Sequence, residues 1–240
     1  MHIKRFAKEQ FPVFGIDVVR FTPQHHSLAR RKALFDTYGI SLVIDVGAHT
    51  GLYVKELRRL GYSGRVISYE PLSASYLTLQ KKAQRDPFWD TYNCALGEAT
   101  GQAKINISRN SYSSSLLEMM PSHVGAAPGS EYAGQELVDI VTLDSVFDSV
   151  RKPSDHTYLK IDTQGYEDRV LNGAEKALYD IDTIQLEMSI VPLYDAALLF
   201  DEMNRRLSQL GYRLVGIETG FTDDTTGELL QFDGIYHRYE

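Results

Sequence analysis

The chain has 240 residues, 43% apolar and 24% charged, a balance that excludes intrinsic disorder and suits one α/β domain with a sizeable core. Twenty-five Lys and Arg against 32 Asp and Glu leave a net charge of −7, which argues against a broad basic face for duplex nucleic acid. The single cysteine, Cys94, excludes an internal disulfide framework and a multi-cysteine zinc site, and it fits a reducing cytoplasm.

Residues 1–40 read as a helical or irregular N-terminal arm. The first stretch starts basic, but Lys8, Glu9, Asp17 and Arg20 break its apolar run, so it reads as neither a signal peptide nor a membrane span. SLVIDVG (41–47) is a β-branched run of the kind buried on both faces of a parallel sheet. A helix over 52–62 follows, with Val54, Leu57 and Leu60 on one face and Gly61 at its end. RVISYE (65–70) is a second strand, and Ser73 opens a helix to about Gln84. WDTYNCALG (89–97) and AKINIS (103–108) read as a third and a fourth strand. Residues 109–135, rich in Ser, Gly, Pro and Ala, read as a long lid or binding loop. Strands follow over 137–144 and 157–162, then a helix over 166–178, a strand over 183–189 and a helix over 195–212. YRLVGIET and LLQFDGIYHR close the chain as a β-hairpin. Strands alternating with helices imply parallel βαβ units, so the expected fold is a three-layer, doubly wound α/β sandwich over 41–240.

The segment Asp45-Val46-Gly47-Ala48-His49-Thr50-Gly51 joins the first strand to its helix, where open α/β sheets bind ligands. Its Asp-x-Gly-x-x-x-Gly spacing is neither the dinucleotide fingerprint nor a P-loop. A carboxylate at Asp45 would repel a pyrophosphate but accept hydrogen bonds from an ammonium group. Glu70 ends the second strand, where an acid accepts bonds from ribose hydroxyls. A nucleoside with a cationic amino-acid tail answers both requirements, and S-adenosylmethionine is that molecule. The competing reading is an ordinary strand-to-helix turn with solvated acids.

In order along the chain, LVIDVGAHTG, VISYEPL, NCALGE, SSSLLEM, TLDSVF and LKIDTQGYEDRVLNGA resemble the FkbM-type S-adenosylmethionine-dependent methyltransferases, over roughly residues 30–238. The resemblance implies a mostly parallel, seven-stranded, Rossmann-like methyltransferase sheet with a closing antiparallel hairpin. It also implies O-methylation of a sugar, glycolipid or polyketide-like acceptor. At His49 the family commonly has Asn, and either side chain can donate to the cofactor. The candidate cofactor residues are therefore Asp45, Gly47, His49, Thr50, Gly51 and Glu70. Asn93 joins them because it is placed either to approach the adenine or to form a turn.

Methyl transfer needs an aligned acceptor and a group to take its proton. Lys160, Asp162, Thr163, Gln164 and Glu167 cluster at one strand end, and Glu187 sits at the next. Asp162 is the first candidate for the base or acceptor-orienting group, and Glu187 the second. The bland alternatives are a helix cap at Asp162 and a paired structural lysine at Lys160. Two carboxylates are too few donors to assign a metal site, and none is expected. The rival functions are RNA or protein methylation, and a cofactor-binding module without chemistry. Intact Asp45, Gly47, Gly51 and Glu70 speak against the second.

Overall fold

The computed structural model describes residues 18–239. Residues 1–17, the first part of the expected arm, lie outside the described residues. From Ser27 the chain alternates helix and strand: α1 (Ser27–Thr37), β1 (Leu42–Val46), α2 (Leu52–Arg59), β2 (Arg65–Tyr69), α3 (Ser73–Ala83) and β3 (Trp89–Tyr92). A side excursion holds β4 (Ala95–Leu96), β5 (Gly101–Ser108), α4 (Pro121–Ala126) and β6 (Tyr132–Val141). The chain then returns through α5 (Leu143–Val150), β7 (Thr157–Ile161), α6 (Glu167–Asn172), a 3₁₀ turn (Ala177–Asp180), β8 (Thr183–Ser189), α7 (Phe200–Gln209), β9 (Tyr212–Thr219) and β10 (Gln231–Arg238).

Seven strands form one sheet in the order β3-β2-β1-β7-β8-β10-β9. β1, β2, β3, β7 and β8 run parallel, and β10 is antiparallel to both β8 and β9. All five residues of β1 are buried, as a central strand covered on both faces requires. Alternation sends Leu42, Ile44 and Val46 to one face, where they pack with Leu159, Ile161, Ile184, Phe147, Val170 and Leu207. Val43 points the other way and meets Phe35, Val54, Leu57, Leu79 and Tyr158. Helices therefore cover both faces, and the expected three-layer architecture is the observed one. Phe35 and the buried Arg31 tie α1 into this second layer.

Four sequence expectations need correction. WDTYNCALG is not one strand: it divides between β3 in the main sheet and β4 in a second sheet of order β4-β6-β5. Asn93 sits at the break, its Nδ2 donating to the carbonyls of Glu70 and Pro71 at 2.9 Å each, and this clamp turns the chain. AKINIS, as β5, belongs to that second sheet, which carries its own small core of Leu72, Ile105 and Val138. The long loop is largely structured. Ser108, Asn110, Ser113 and Ser114 bond one another across a tight turn, and α4 and the start of β6 occupy the rest. The helices expected over 166–178 and 195–212 are shorter. The first breaks at Gly173, and the second starts only at Phe200, after Tyr194 pairs with Met119 and Ala196 adopts φ +54°.

Candidate functional site

Gly47 and Ala48 follow β1, and both amides donate to the carbonyl of Tyr69, at 3.0 and 3.1 Å. Gly47 has φ +76°, and a Cβ there would lie 1.9 Å from the Asp162 carbonyl oxygen, so the end of β7 itself demands glycine. Gly51 precedes α2 with φ +77°, and its absent side chain makes room for the Trp89 ring, 2.6 Å from an added Cβ. The two glycines are thus required first by packing. The turn is fastened further where Lys82 Nζ donates to the Thr50 carbonyl at 2.5 Å.

A cavity of about 290 Å³ opens at the carboxyl ends of β1, β2, β7 and β8, where a doubly wound sheet places its ligand. Glu70 and Leu72 line its β2 side together with Leu96 and Ile105. Asp162, Gln164 and Glu187 line its β7 and β8 side. Ser111, Tyr112 and Ser114 come from the seryl turn and complete the wall.

The expected cofactor residues divide between this cavity and its supports. Gly47, His49 and Glu70 line it, whereas Asp45, Thr50, Gly51 and Asn93 do not. Asp45 is fully buried, accepts from Ser68 Oγ at 3.1 Å and lies 3.3 Å from Lys160 Nζ. Its ammonium partner in this structure is a lysine of the protein, one layer behind the cavity wall. Asn93 Nδ2 serves the turn described above, the second of the two placements expected for this residue.

Glu70 accepts from the His49 amide at 2.7 Å and the Leu72 amide at 2.9 Å. Burial outweighs these two donors and pushes its carboxyl up to about 7. Each oxygen keeps a further lone pair for a ligand hydroxyl. His49 holds φ +47°, and its Nε2 sits 2.9 Å from Ser111 Oγ while its ring meets Tyr112 at 4.3 Å. Burial lowers its imidazole below the usual 6.5, so the ring is neutral at physiological pH. Its buried Nδ1 has no partner among the described residues, which leaves one polar atom for a ligand.

Asp162 and Glu187 are brought together by one side chain. Gln164 Nε2 donates to Asp162 Oδ1 at 3.0 Å and to Glu187 Oε2 at 2.7 Å. Its Oε1 accepts from the buried Tyr194 hydroxyl at 2.6 Å. Lys160 Nζ is 3.3 Å from Asp162 Oδ2 and spans from there to Asp45. Asp162 caps no helix; Tyr166 stands at the α6 N-terminus without a side-chain cap. Burial, then the charges of Asp162, Glu167 and Asp233, hold the Glu187 carboxyl well above the usual range. Among the described residues, no group of three or more His, Cys, Asp or Glu side chains is arranged to hold a metal ion.

Gln164 and Tyr194 are the parts of this site that sequence reading left without a role. Gln164 has φ +57° just before Gly165, a strained turn at a strand end. A glutamine before glycine there was the available signal. Nothing local marks Tyr194, which arrives from a loop 30 residues later.

Glu167 supports the same turn. It accepts from the amides of Thr163 and Gly165 at 2.8 and 3.3 Å, yet burial pushes its carboxyl up from 4.5 to about 7. Between those values the folded chain binds more protons than the unfolded one, so this stabilisation is complete below the unfolded pKa and is lost as pH rises through about 7. Glu167→Gln should flatten the decline of Tm between about pH 5 and about pH 8. A thermal series in which the variant keeps the wild-type slope would assign that decline to other groups.

The methyltransferase FkbM domain matches residues 45–214. A structure of methyltransferase FkbM from Methylobacillus flagellatus superposes with TM-score 0.52 at 19% identity, covering 82% of this chain and 43% of that one. The chain thus spans less than half the length of that relative. The METTL16 methyltransferase domain superposes with TM-score 0.50 at 7% identity, covering 94% of this chain and 71% of that one. At these identities both likenesses speak to fold. No curated protein matches the chain in sequence. No helix among the described residues is long and apolar enough to cross a membrane.

Proposed function

The chain belongs to the FkbM methyltransferase family, and from that premise we propose that it transfers a methyl group from S-adenosylmethionine to a hydroxyl of a sugar, glycolipid or polyketide-like small molecule. The observation that carries this reading is one cavity with Glu70 at the β2 side and an amide-bridged pair of carboxyls, Asp162 and Glu187, at the β7 and β8 side. S-adenosylmethionine supplies, when bound, a methyl group already activated on a sulfonium.

The residues present fit that molecule. Glu70 has lone pairs for a ribose diol, Leu72, Leu96 and Ile105 offer an apolar wall for a base, and His49 Nδ1 is an orphaned polar atom. At the other side Asp162 takes the hydroxyl proton of the acceptor, and Lys160 at 3.3 Å balances its charge. Glu187 retains its own proton and orients the acceptor as a neutral carboxylic acid. Gln164 holds both groups at one edge of the cavity, so little reorganisation is needed when the acceptor arrives.

The net charge of −7 supports a small acceptor over duplex nucleic acid. We assign the methyltransferase domain to 41–240, residues 1–40 to its N-terminal arm, and a cytoplasmic setting from the lone Cys94.

Calorimetric titration with S-adenosylmethionine tests the reading directly, and absence of binding would refute it. Glu70→Ala should weaken S-adenosylmethionine and S-adenosylhomocysteine alike, because both carry the ribose diol. The expected loss is about 1.5–3 kcal/mol, more than tenfold in affinity. Unchanged affinity in a folded variant would take Glu70 out of the ribose site.

A further inference from the structure

Gln164 holds the carboxyl pair with both protons of its amide, so the hydrogen bonds behind it run in a fixed direction. Its Nε2 donates to Asp162 and to Glu187, which leaves Oε1 purely an acceptor. The Tyr194 hydroxyl supplies that acceptor at 2.6 Å, and burial raises its phenol well above the usual 10, so the proton is present at physiological pH. A second acceptor, the Ser113 carbonyl, lies farther off at 3.5 Å. With its proton on Gln164, the Tyr194 oxygen can only accept from its other polar neighbour, His123 Nε2 at 3.2 Å.

His123 lies in α4, about 40 residues before Gln164, and is buried together with Tyr194 and Ser130. Burial lowers its imidazole below the usual 6.5, so the ring carries one nitrogen-bound proton at physiological pH. That proton has two alternative homes. On Nε2 it is donated to Tyr194, and Nδ1 accepts from Ser130 Oγ at 3.1 Å. The Ala127 carbonyl, another acceptor near that hydroxyl, already takes the Ser130 amide at 3.0 Å. On Nδ1 the proton would point at Ser130, and the bare Nε2 would draw the Tyr194 proton away from Gln164. The first arrangement satisfies every member of the buried chain, whereas the second strands Gln164 Oε1.

Resting on the reading of Asp162 and Glu187 as the acceptor-side pair of a methyltransferase, we propose that His123 is a positioning residue: as the Nε2–H tautomer it directs the Tyr194 proton onto Gln164 and so keeps the Gln164 amide turned toward both carboxyls. His123 itself does not line the cavity. The backbone of the turn needs no such help, since Ser115 Oγ donates to the Gln164 carbonyl at 2.7 Å. Rotation of the amide is what remains to be fixed, and a reversed amide would face two carboxyls with an oxygen. The same contacts tie the pair to the side excursion of the chain, because α4 and Ser130 lie between β5 and β6. Ring packing alone, with His123 against Tyr194 and Phe221 at centroid distances of 5.2 and 5.3 Å, makes no demand on the tautomer.

Nitrogen-15 NMR of the wild-type imidazoles, assigned by their sequential connectivities, reads the tautomer, and solvent exchange of the Gln164 side-chain N–H protons reads the hold on its amide. At neutral pH His123 should carry its proton on Nε2. Tyr194→Phe removes the donor to Gln164 and should speed exchange of those amide protons about tenfold, the worth of one ordinary hydrogen bond. His123→Asn, whose amide reaches only toward Ser130, should do the same. His123→Gln, whose amide nitrogen falls near the place of Nε2, should return exchange to within about twofold of wild type. A wild-type proton on Nδ1 overturns the proposal, even if no variant folds. Unaltered exchange in folded Tyr194→Phe overturns it, and so does equal acceleration in His123→Gln and His123→Asn, which would mark His123 as packing. Titration of wild type with S-adenosylhomocysteine keeps the two readings apart. An Nε2 proton and a held amide without binding would refute the methyltransferase reading and leave the positioning of Gln164 standing. Binding with the proton on Nδ1 would do the reverse.

Discussion

Asp162→Asn should leave the fold and most cofactor affinity intact while single-turnover methyl transfer falls by about 10²–10⁴, the usual contribution of general acid–base catalysis. The substitution keeps the shape of the side chain and an oxygen that can accept from Gln164 Nε2, so the bridge to Glu187 survives. What disappears is the ability to take a proton, together with the charge that faces Lys160 at 3.3 Å. Glu187→Gln provides the contrast. Burial and the neighbouring acids raise the Glu187 carboxyl and so favour its neutral form, which glutamine imitates, and its effect should stay within about tenfold. The measurement is rapid-quench transfer at saturating S-adenosylmethionine once an acceptor is identified. Near-wild-type rates for Asp162→Asn with collapse for Glu187→Gln would reverse the two roles.

Arg31→Ala should cost about 3–5 kcal/mol of stability, because it strands buried Glu218 without its partner. Both residues are only 5% exposed, and Arg31 binds Glu218 through two guanidinium nitrogens while a third meets Glu56 at 2.6 Å. These contacts join α1 to β9 and α2. The same guanidinium lies over the Tyr53 ring at 4.8 Å, and the Tyr53 hydroxyl reaches Gln185 at 2.9 Å. At roughly 2–4 °C per kcal/mol for a chain of this size, Tm should fall by ~6 °C or more. Arg31→Met with Glu218→Leu should recover most of the loss, since removing both charges leaves neither stranded. A single variant within ~1 °C of wild type would show that the pair anchors nothing.

What was legible in the sequence was local. The run SLVIDVG announced a doubly covered central strand because both of its faces are apolar except at Asp45, and β1 is buried throughout. The spacing of Val54 and Leu57 announced the buried face of α2, and both side chains are buried. Glu70 and His49 were legible because strand ends and the turns after them are where a parallel sheet opens toward ligands. Asp162 and Glu187 could be placed at neighbouring strand ends by counting along β7 and β8.

Pairings between distant segments were decided in three dimensions. Whether Asp45 would face a ligand depended on Lys160, which lies opposite it in the β1–β7 register, and no property of the Asp-x-Gly turn carries that information. The break between β3 and β4 depended on Asn93 finding the carbonyls of Glu70 and Pro71. Gln164 became the bridge of the site only when Tyr194, from a separate loop, oriented its amide. Asp233 sits on the last strand and reaches the space beside Lys160 because β10 inserts antiparallel between β8 and β9. Hydrophobic period and turn chemistry act over a few residues and so can be read along the chain. Burial of a charge, its partner and its proton depend on which strands become neighbours, and that choice belongs to the packed fold.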